Sequence, residues 1–192
     1  MKRILITAAM AMLASAASVA YAFDPVAEAA ATAASIDSAY TISVEQPREE
    51  ISKTAFEGWT KGKEASGARY TWLTYERTLS PDEEAGYGCK VKQTILIGIN
   101  KKDDTVDQYL ISFKTNNKRE AQRLYNEMSA GLMKFLMGTE KQHKVTMNGS
   151  IKDVWLLDKG RRACELGLNV NAPMRGEYPY EASLFRGKIH KT

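Results

Sequence analysis

The sequence predicts an α+β fold, with a largely antiparallel sheet of about six to seven strands and two helices packed on one of its faces. Strands are indicated by short runs in which apolar and polar residues alternate, because successive side chains of a strand point to opposite faces. Helices are indicated by apolar residues three and four positions apart, which line one side of a helix. Strand-like runs outnumber helical ones and mostly follow one another directly, which favours antiparallel pairing.

Three elements are predicted at the start of the folded region. Residues 40–44 alternate and predict a short strand. A helix is predicted to begin at Pro47, because proline is favoured at the first helical position and Glu49 and Glu50 lie in the first turn. Residues 70–79 are rich in aromatic and β-branched side chains and predict the next strand.

The clearest pattern is a hairpin followed by a helix. Residues 91–99 and 106–113 alternate on either side of a polar turn, which predicts two paired strands. Asn117 is placed to cap the helix that follows, with Glu120 three residues later as in a capping box. Apolar residues recur at helical spacing as far as Gly138, a residue type that favours a helix end.

Three shorter strands are predicted in the last third of the chain, at residues 144–147, 154–157 and 164–170. The last of these alternates most regularly. The tail that begins at Pro173 carries two tyrosines and several basic residues, and no element is assigned to it.

The first 22 residues have the pattern of a cleaved signal peptide. Lys2 and Arg3 precede an uncharged apolar run over residues 4–19, and residues 20–22 place alanines at the positions that define a cleavage site. A membrane anchor is the alternative, but the run of about 16 residues is short for a bilayer span of about 20. We therefore expect a bacterial protein without an integral membrane span, exported to the periplasm or alternatively to the extracellular medium.

The remaining chain is expected to form an arm and one domain. Residues 23–38 are alanine-rich and predict a flexible arm, and residues 39–192 predict a single globular α+β domain. The formal charge is +4, and Lys2 and Arg3 contribute two of the positive charges. The rest of the chain is nearly neutral, which argues against nucleic acid as a partner. A homo-oligomer is compatible with these features.

Cys89 and Cys164 are the two cysteines of the chain. Exported proteins enter an oxidising compartment, where an even number of thiols favours pairing. Each cysteine stands at the start of a predicted strand and on its apolar side, so we expect one Cys89–Cys164 disulfide. Closing a loop of about 75 residues would stabilise the fold by about 4 kcal/mol. Two buried free thiols and a redox pair are the alternatives.

An internal duplication is also compatible with the order of elements. Residues 40–44 resemble residues 109–113, and at the same offset of 69 residues Phe56 matches Tyr125. The chain then divides into two strand–helix–strand–strand units, the second with an extra strand. Chance similarity between short alternating strands is the competing interpretation.

The motifs of common catalytic and cofactor sites are absent from the sequence. There is no Gly-x-Ser-x-Gly motif, no glycine-rich phosphate loop and no Cys or His spacing typical of a metal site, so we expect neither a cofactor nor a metal. His143 has lysine neighbours and His190 lies near the C-terminus, which predicts surface residues rather than catalytic bases. The acidic residues 82–84 lie in a predicted loop and leave carboxylate-based hydrolysis as an alternative.

Four arginines and a tyrosine are candidates for binding a partner. Tyr75 and Arg77 share one parity of the strand predicted at residues 70–79, and Arg69, immediately before it, continues that parity; both residue types are frequent at binding hot spots. Arg161 and Arg162 form a basic patch in a predicted turn. The competing explanations are a solvent-facing strand with cross-strand ion pairs and an ordinary polar hairpin turn.

These features predict an exported, soluble, non-enzymatic protein that binds an unidentified protein partner in the bacterial envelope, as inhibitors and immunity-type proteins do. A periplasmic carrier of a small ligand or lipid is the main alternative, and a carboxylate-based hydrolase is another. A partner-binding protein should present an arginine-rich or aromatic surface, whereas a carrier needs a sizeable apolar cavity.

Overall fold

A computed structural model describes residues 42–53, 59–79, 84, 88–136, 138–171 and 173–190. The predicted signal peptide and arm lie outside the described residues. The helices are α1 (Arg48–Lys53) and α2 (Lys118–Phe135). The strands are β1 (Thr60–Lys61), β2 (Ala65–Ser66), β3 (Tyr70–Thr78), β4 (Val91–Asn100), β5 (Thr105–Thr115), β6 (Lys141–Val145), β7 (Ile151–Leu157), β8 (Arg162–Asn169) and β9 (Tyr180–Lys188), with a 3₁₀ turn at Asp158–Gly160.

The nine strands form one antiparallel sheet in the order β1-β3-β4-β5-β9-β8-β7-β6, and β2 pairs with β3 on the same side as β1. Two runs of consecutive strands, β3–β5 and β6–β9, are connected through α2, and β9 returns to pair with β5. The α+β class and the antiparallel sheet are therefore confirmed. The expected number of six to seven strands is too low.

α2 covers one face of the sheet and packs on β5, β8 and β9. Its buried side consists of Ala121, Leu124, Tyr125, Met128 and Leu132, as its helical spacing predicts. The side chain of Ile51 in α1 is completely buried in the same core. Neither helix in the described ranges is long and apolar enough to cross a lipid bilayer.

The start of α2 follows one part of its sequence prediction and departs from another. The Asn117 side chain caps the helix by accepting hydrogen bonds from the backbone N–H groups of Arg119 and Glu120. Glu120 does not complete a capping box, because its carboxylate binds Arg123 at 2.6 Å. The Asn117 N–H instead donates to Thr115 Oγ1 at 3.1 Å.

Strand alternation gives the sheet a covered face, beneath α2, and an open face. One row of the covered face consists of Leu73, Ile97, Tyr109, Arg186, Cys164 and Trp155, which pair in register across six strands. The side chains that alternate with this row, such as Leu110 and Phe185, lie on the open face.

β9, which the alternation of its sequence does not reveal, lies near the middle of the sheet between β5 and β8. Ala182 and Leu184 are buried on the covered face, as expected for a strand. The next pair is inverted, because Phe185 lies on the open face and Arg186 on the covered face. This inversion hides the period-2 pattern. The other unpredicted strands, β1 and β2, have only two residues each and are too short to show a pattern.

The segment before α1 is not the predicted strand. Residues 42–44 form no strand, and residues 40–41 lie outside the described residues. The chain instead runs beside the start of β5, where Glu45 N–H donates to Val106 O at 2.7 Å and Val106 N–H donates to Gln46 O at 2.9 Å. The internal duplication therefore gains no support from the described part of its first unit.

The expected disulfide is wrong, because Cys89 and Cys164 are free thiols. Cys89 Sγ lies 3.3 Å from Thr115 Oγ1 at the end of β5. Cys164 pairs with Arg186, and Arg186 pairs with Tyr109 of β5, so Cys164 lies two strands away from β5 at the level of Tyr109. Thr115, beside Cys89, lies six residues further along β5 than Tyr109. Six strand residues span about 20 Å. A disulfide needs Cα atoms only about 4–7 Å apart.

Candidate functional site

A carboxylate is buried at the end of the sheet where the chain enters β5. Asp107 is the extra residue of a β-bulge between β4 and β5, and its side chain is 1% exposed. Asn100 Nδ2 donates to its Oδ2 at 2.9 Å, and His190 Nε2 lies 2.8 Å from the same oxygen. Lys188 Nζ lies 3.2 Å from Oδ1. These partners offset the cost of burying the charge of Asp107.

His190 connects this carboxylate to Arg69 on the surface. The Arg69 guanidinium donates to His190 Nδ1, while the other ring nitrogen faces Asp107. Because arginine keeps its protons, Nδ1 is the acceptor and Nε2 carries the hydrogen donated to Asp107. Arg69 also lies over the ring of Tyr70, 5.5 Å from its centroid. Burial raises the pKa of Tyr70, and the charge of Asp107 raises it further against the opposing charge of Arg69.

The predicted basic patch in the turn between β7 and β8 lies beside the end of β9. Ile189 N–H donates to the carbonyl oxygen of Arg161 at 2.8 Å. The guanidinium of Arg162 lies 2.7 Å from the carboxylate of Glu45 and 3.1 Å from that of Asp158. These residues line a surface cavity of about 440 Å³.

Six cationic side chains, which we call the basic rim, surround this end of the sheet: Arg69, Lys101, Lys102, Arg161, Arg162 and Lys188. Arg162 and Lys188 are paired with carboxylates. The other four make no ion pair with a carboxylate of the described residues. Lys101 Nζ donates instead to Ser66 Oγ and Gly67 O, both at 2.6 Å. The basic rim therefore presents positive charge that the surrounding chain does not neutralise.

The acidic residues nearest to the basic rim contact either residues outside it or its two paired members, Arg162 and Lys188. Asp103 accepts a hydrogen bond from Thr105 Oγ1 at 2.9 Å. Asp104 lies 3.8 Å from the guanidinium of Arg48. Glu45 is held between Arg162 and the rim lysine at the end of β9. Within the described residues, none of these carboxylates pairs with Arg69, Lys101, Lys102 or Arg161, so the charges of these four cations can face an external anion.

The basic rim brings together three of the five predicted partner-binding residues, namely Arg69, Arg161 and Arg162. Tyr75 and Arg77 do not join them, because both lie on the covered face of β3 and Tyr75 is only 7% exposed. β3 alternates as predicted, but the side chains expected to face a partner are on the face that packs into the core. Tyr75, a candidate partner-binding residue, is thus part of the core.

A second buried carboxylate, Asp153 of β7, lies near the opposite edge of the sheet, with its side chain 3% exposed. Lys141 Nζ lies 3.1 Å and His143 Nδ1 2.6 Å from its oxygens, and Tyr125 of α2 supplies a third hydrogen bond. Burial by itself raises the pKa of Asp153, but the three hydrogen bonds together outweigh it and hold that pKa below its ordinary value. Burial and the same contact raise the pKa of Tyr125.

The two buried aspartates are too far apart to act as a catalytic carboxylate pair. The register pairs Asp153 with Leu166, Leu166 with Leu184 and Leu184 with Ile111, so Asp153 and Ile111 lie three strands apart. Ile111 lies four residues from Asp107 along β5. The resulting separation is roughly 20 Å, whereas glycosidase carboxylates lie about 5–9.5 Å apart. Within the described residues, no three His, Cys, Asp or Glu side chains are grouped so that they could hold a metal ion.

The open face carries a groove of about 380 Å³. Leu110 and Phe185 line its apolar side, and Lys152 and Glu165, 3.0 Å apart, line its polar side. The backbone is exposed to the groove at Gly167, where a Cβ atom would lie 2.7 Å from a neighbouring hydroxyl oxygen. Such a mixed lining suits a small amphipathic ligand.

Comparisons with protein-family models, curated proteins and solved structures give no match to this chain. The sequence does not reveal the contact between Asp107 and His190, which are 83 residues apart. A signal does exist for Asp153, because it stands between Ile151 and Trp155 on the buried parity of a strand. A charged residue in such a position needs a partner, although the sequence does not show which one.

Proposed function

We propose that this protein is an exported, non-enzymatic binding protein of the bacterial envelope, and that its basic rim holds an acidic surface of a partner protein. Inhibitors and immunity-type proteins, with which the sequence analysis compares this chain, belong to this functional class. The proposal depends on one observation, the convergence of Arg69, Lys102 and Arg161 at one end of the sheet without carboxylate partners from the described chain.

The connections within the basic rim support this function. Lys101 N–H donates to the carbonyl of Arg69 at 3.0 Å, and Arg69 in turn contacts His190. Ile189 connects the same segment to Arg161. These backbone bonds fix the segments from which the cations project, and His190 also holds the Arg69 side chain, so less conformational entropy is lost when they meet a partner. Arginines held in this way are frequent at binding hot spots.

The test compares two charge-reversed double variants in affinity capture from envelope and medium fractions. Lys102→Glu/Arg161→Glu changes the basic rim, and Lys118→Glu/Arg119→Glu changes an equal number of charges at the exposed start of α2. We expect the native protein and the α2 variant to retain a stoichiometric protein partner, which high salt releases, and the rim variant to lose it. Equal retention by both variants would contradict the proposal.

The groove on the open face favours a carrier of a small ligand as the second candidate. Native mass spectrometry of the protein purified from its own envelope distinguishes the two functions. A bound small molecule that is lost in Phe185→Ala, with no protein retained by the basic rim, would favour the carrier. The roughly 20 Å between the buried aspartates argues against hydrolysis by this pair of carboxylates.

A further inference from the structure

β6 forms one edge of the sheet and pairs only with β7 among the described strands. All five of its residues are exposed. At the opposite edge, β1 and β2 pair with the outer side of β3 at four of its nine residues. A strand edge that nothing covers presents unpaired backbone groups and can accept another strand.

The hairpin turn shows which backbone groups of β6 point outward. Thr146 N–H donates to Ser150 O at 2.9 Å, so these two residues form a hydrogen-bonded pair. Antiparallel pairs alternate between hydrogen-bonded and non-hydrogen-bonded. Lys141, His143 and Val145 therefore belong to non-hydrogen-bonded pairs with β7, and their N–H and C=O groups face the free edge.

The side chains of β6 hold this edge in place. Lys141 and His143 both turn to Asp153, at 3.1 and 2.6 Å. Both side chains are therefore directed to the covered face and away from an incoming strand. Val145, 62% exposed, and Met147, fully exposed in the turn, add apolar surface at the end of the edge.

On its open-face side, β6 carries Lys144, whose charge has no ion-pair partner in the described part of the chain. Lys144 pairs in register with Lys152, and like charges directly opposite each other are unfavourable. Lys152 is neutralised on its other side by Glu165 at 3.0 Å, and Lys144 makes no ion pair within the described residues. An acidic residue on a strand added beside β6 would lie opposite Lys144 and neutralise it, as Glu165 neutralises Lys152.

We propose that the free edge of β6 binds an extended acidic segment of a partner protein, which adds a tenth strand and places a carboxylate beside Lys144. Lys144 lies two strands across and five residues along from Arg162, the nearest paired residue of the basic rim, and the edge has its own test. The test of the basic rim changes Lys102 and Arg161, whereas the test of this edge changes Lys144 and Val145. Either proposal can therefore fail while the other holds.

A labelled peptide with the repeat Thr-Val-Glu-Val serves as the probe, and its affinity for the purified protein is measured by fluorescence anisotropy. Val145→Pro removes an outward N–H without touching the hydrogen bonds to β7, and it is expected to weaken binding about tenfold. Val145→Thr keeps that N–H and is the matched control, for which we expect binding within about twofold of the native protein.

The charge of the partner is tested separately with Lys144→Glu. This variant is expected to weaken the acidic peptide about fivefold and to favour a peptide with lysine in place of glutamate. Equal affinities of Val145→Pro and Val145→Thr, or no binding to the native protein, would overturn the proposal. A dimer that forms without peptide and disappears in Val145→Pro would assign the edge to a second copy and would overturn it as well.

Discussion

At the residue scale, both histidines of the chain lie against buried aspartates. His190 binds Asp107 at the end of β9, and His143 binds Asp153 at the edge strand β6. A lysine accompanies each pair. Buried carboxylates are tolerated only when donors surround them. Here His190 follows the last strand and His143 lies on the edge strand β6, so the two aspartates fasten the end and the edge of the sheet.

Asp153→Asn is expected to lower the free energy of unfolding by about 1–3 kcal/mol at pH 7, because the amide is a weaker acceptor for Lys141 and His143. The folded-state pKa of Asp153 lies below its ordinary value. Its stabilising contribution is therefore complete above about pH 4 and is lost as the pH falls through the folded-state pKa. Urea unfolding at neutral and strongly acidic pH measures this difference.

The exposed neighbour Glu140 provides the control for this experiment. Glu140→Gln should change the stability by no more than about 0.5 kcal/mol at either pH. If the loss in Asp153→Asn had the same size at neutral and acidic pH, the carboxylate charge would not be its cause.

At the scale of secondary-structure elements, β9 is decisive for the architecture. It joins the two runs of strands by pairing with β5 on one side and β8 on the other. Its Leu184 is 2% exposed and lies beneath α2 on the covered face. The stability of the whole sheet therefore depends on a segment whose sequence resembles a polar tail.

Leu184→Ala is expected to destabilise the protein by about 2–5 kcal/mol, because it leaves a cavity in a close-packed core. Leu156→Ala, at a side chain that is 43% exposed on β7, provides a matched control and should cost less than about 1 kcal/mol. Thermal and urea unfolding of the two variants measure both values. A similar loss in both would be inconsistent with a central position of β9.

At the scale of the whole molecule, the sheet keeps the two thiols apart and gathers charge at one end. Cys89 lies beside the last residue of β5, and Cys164 lies on β8 beneath the core. The basic rim is built from the loop before β3, the turns after β4 and β7, the start of β8 and the end of β9. No stretch of sequence contains this surface, because only the pairing of distant strands assembles it.

Alkylation tests the separation of the thiols. Burial raises the pKa of Cys164 to about 11, and it also raises that of Cys89, which is only partly buried. The thiolate is the reactive form, so iodoacetamide without reductant should label Cys89 alone in the native protein and both cysteines in urea. Mass spectrometry counts the labels. If neither cysteine is labelled in urea, the two thiols are joined in a disulfide and the free thiols are contradicted.

The elements with strong local patterns follow from the amino-acid sequence alone. The capped helix α2 and the hairpin of β4 and β5 lie close to their predicted positions, because periodicity and capping are local properties of the chain. Tertiary structure alone decided that Tyr75 packs inward, that β9 enters the sheet, that Cys89 and Cys164 remain apart and that each histidine meets an aspartate. These outcomes depend on contacts between residues distant in sequence, for which local periodicity contains no information.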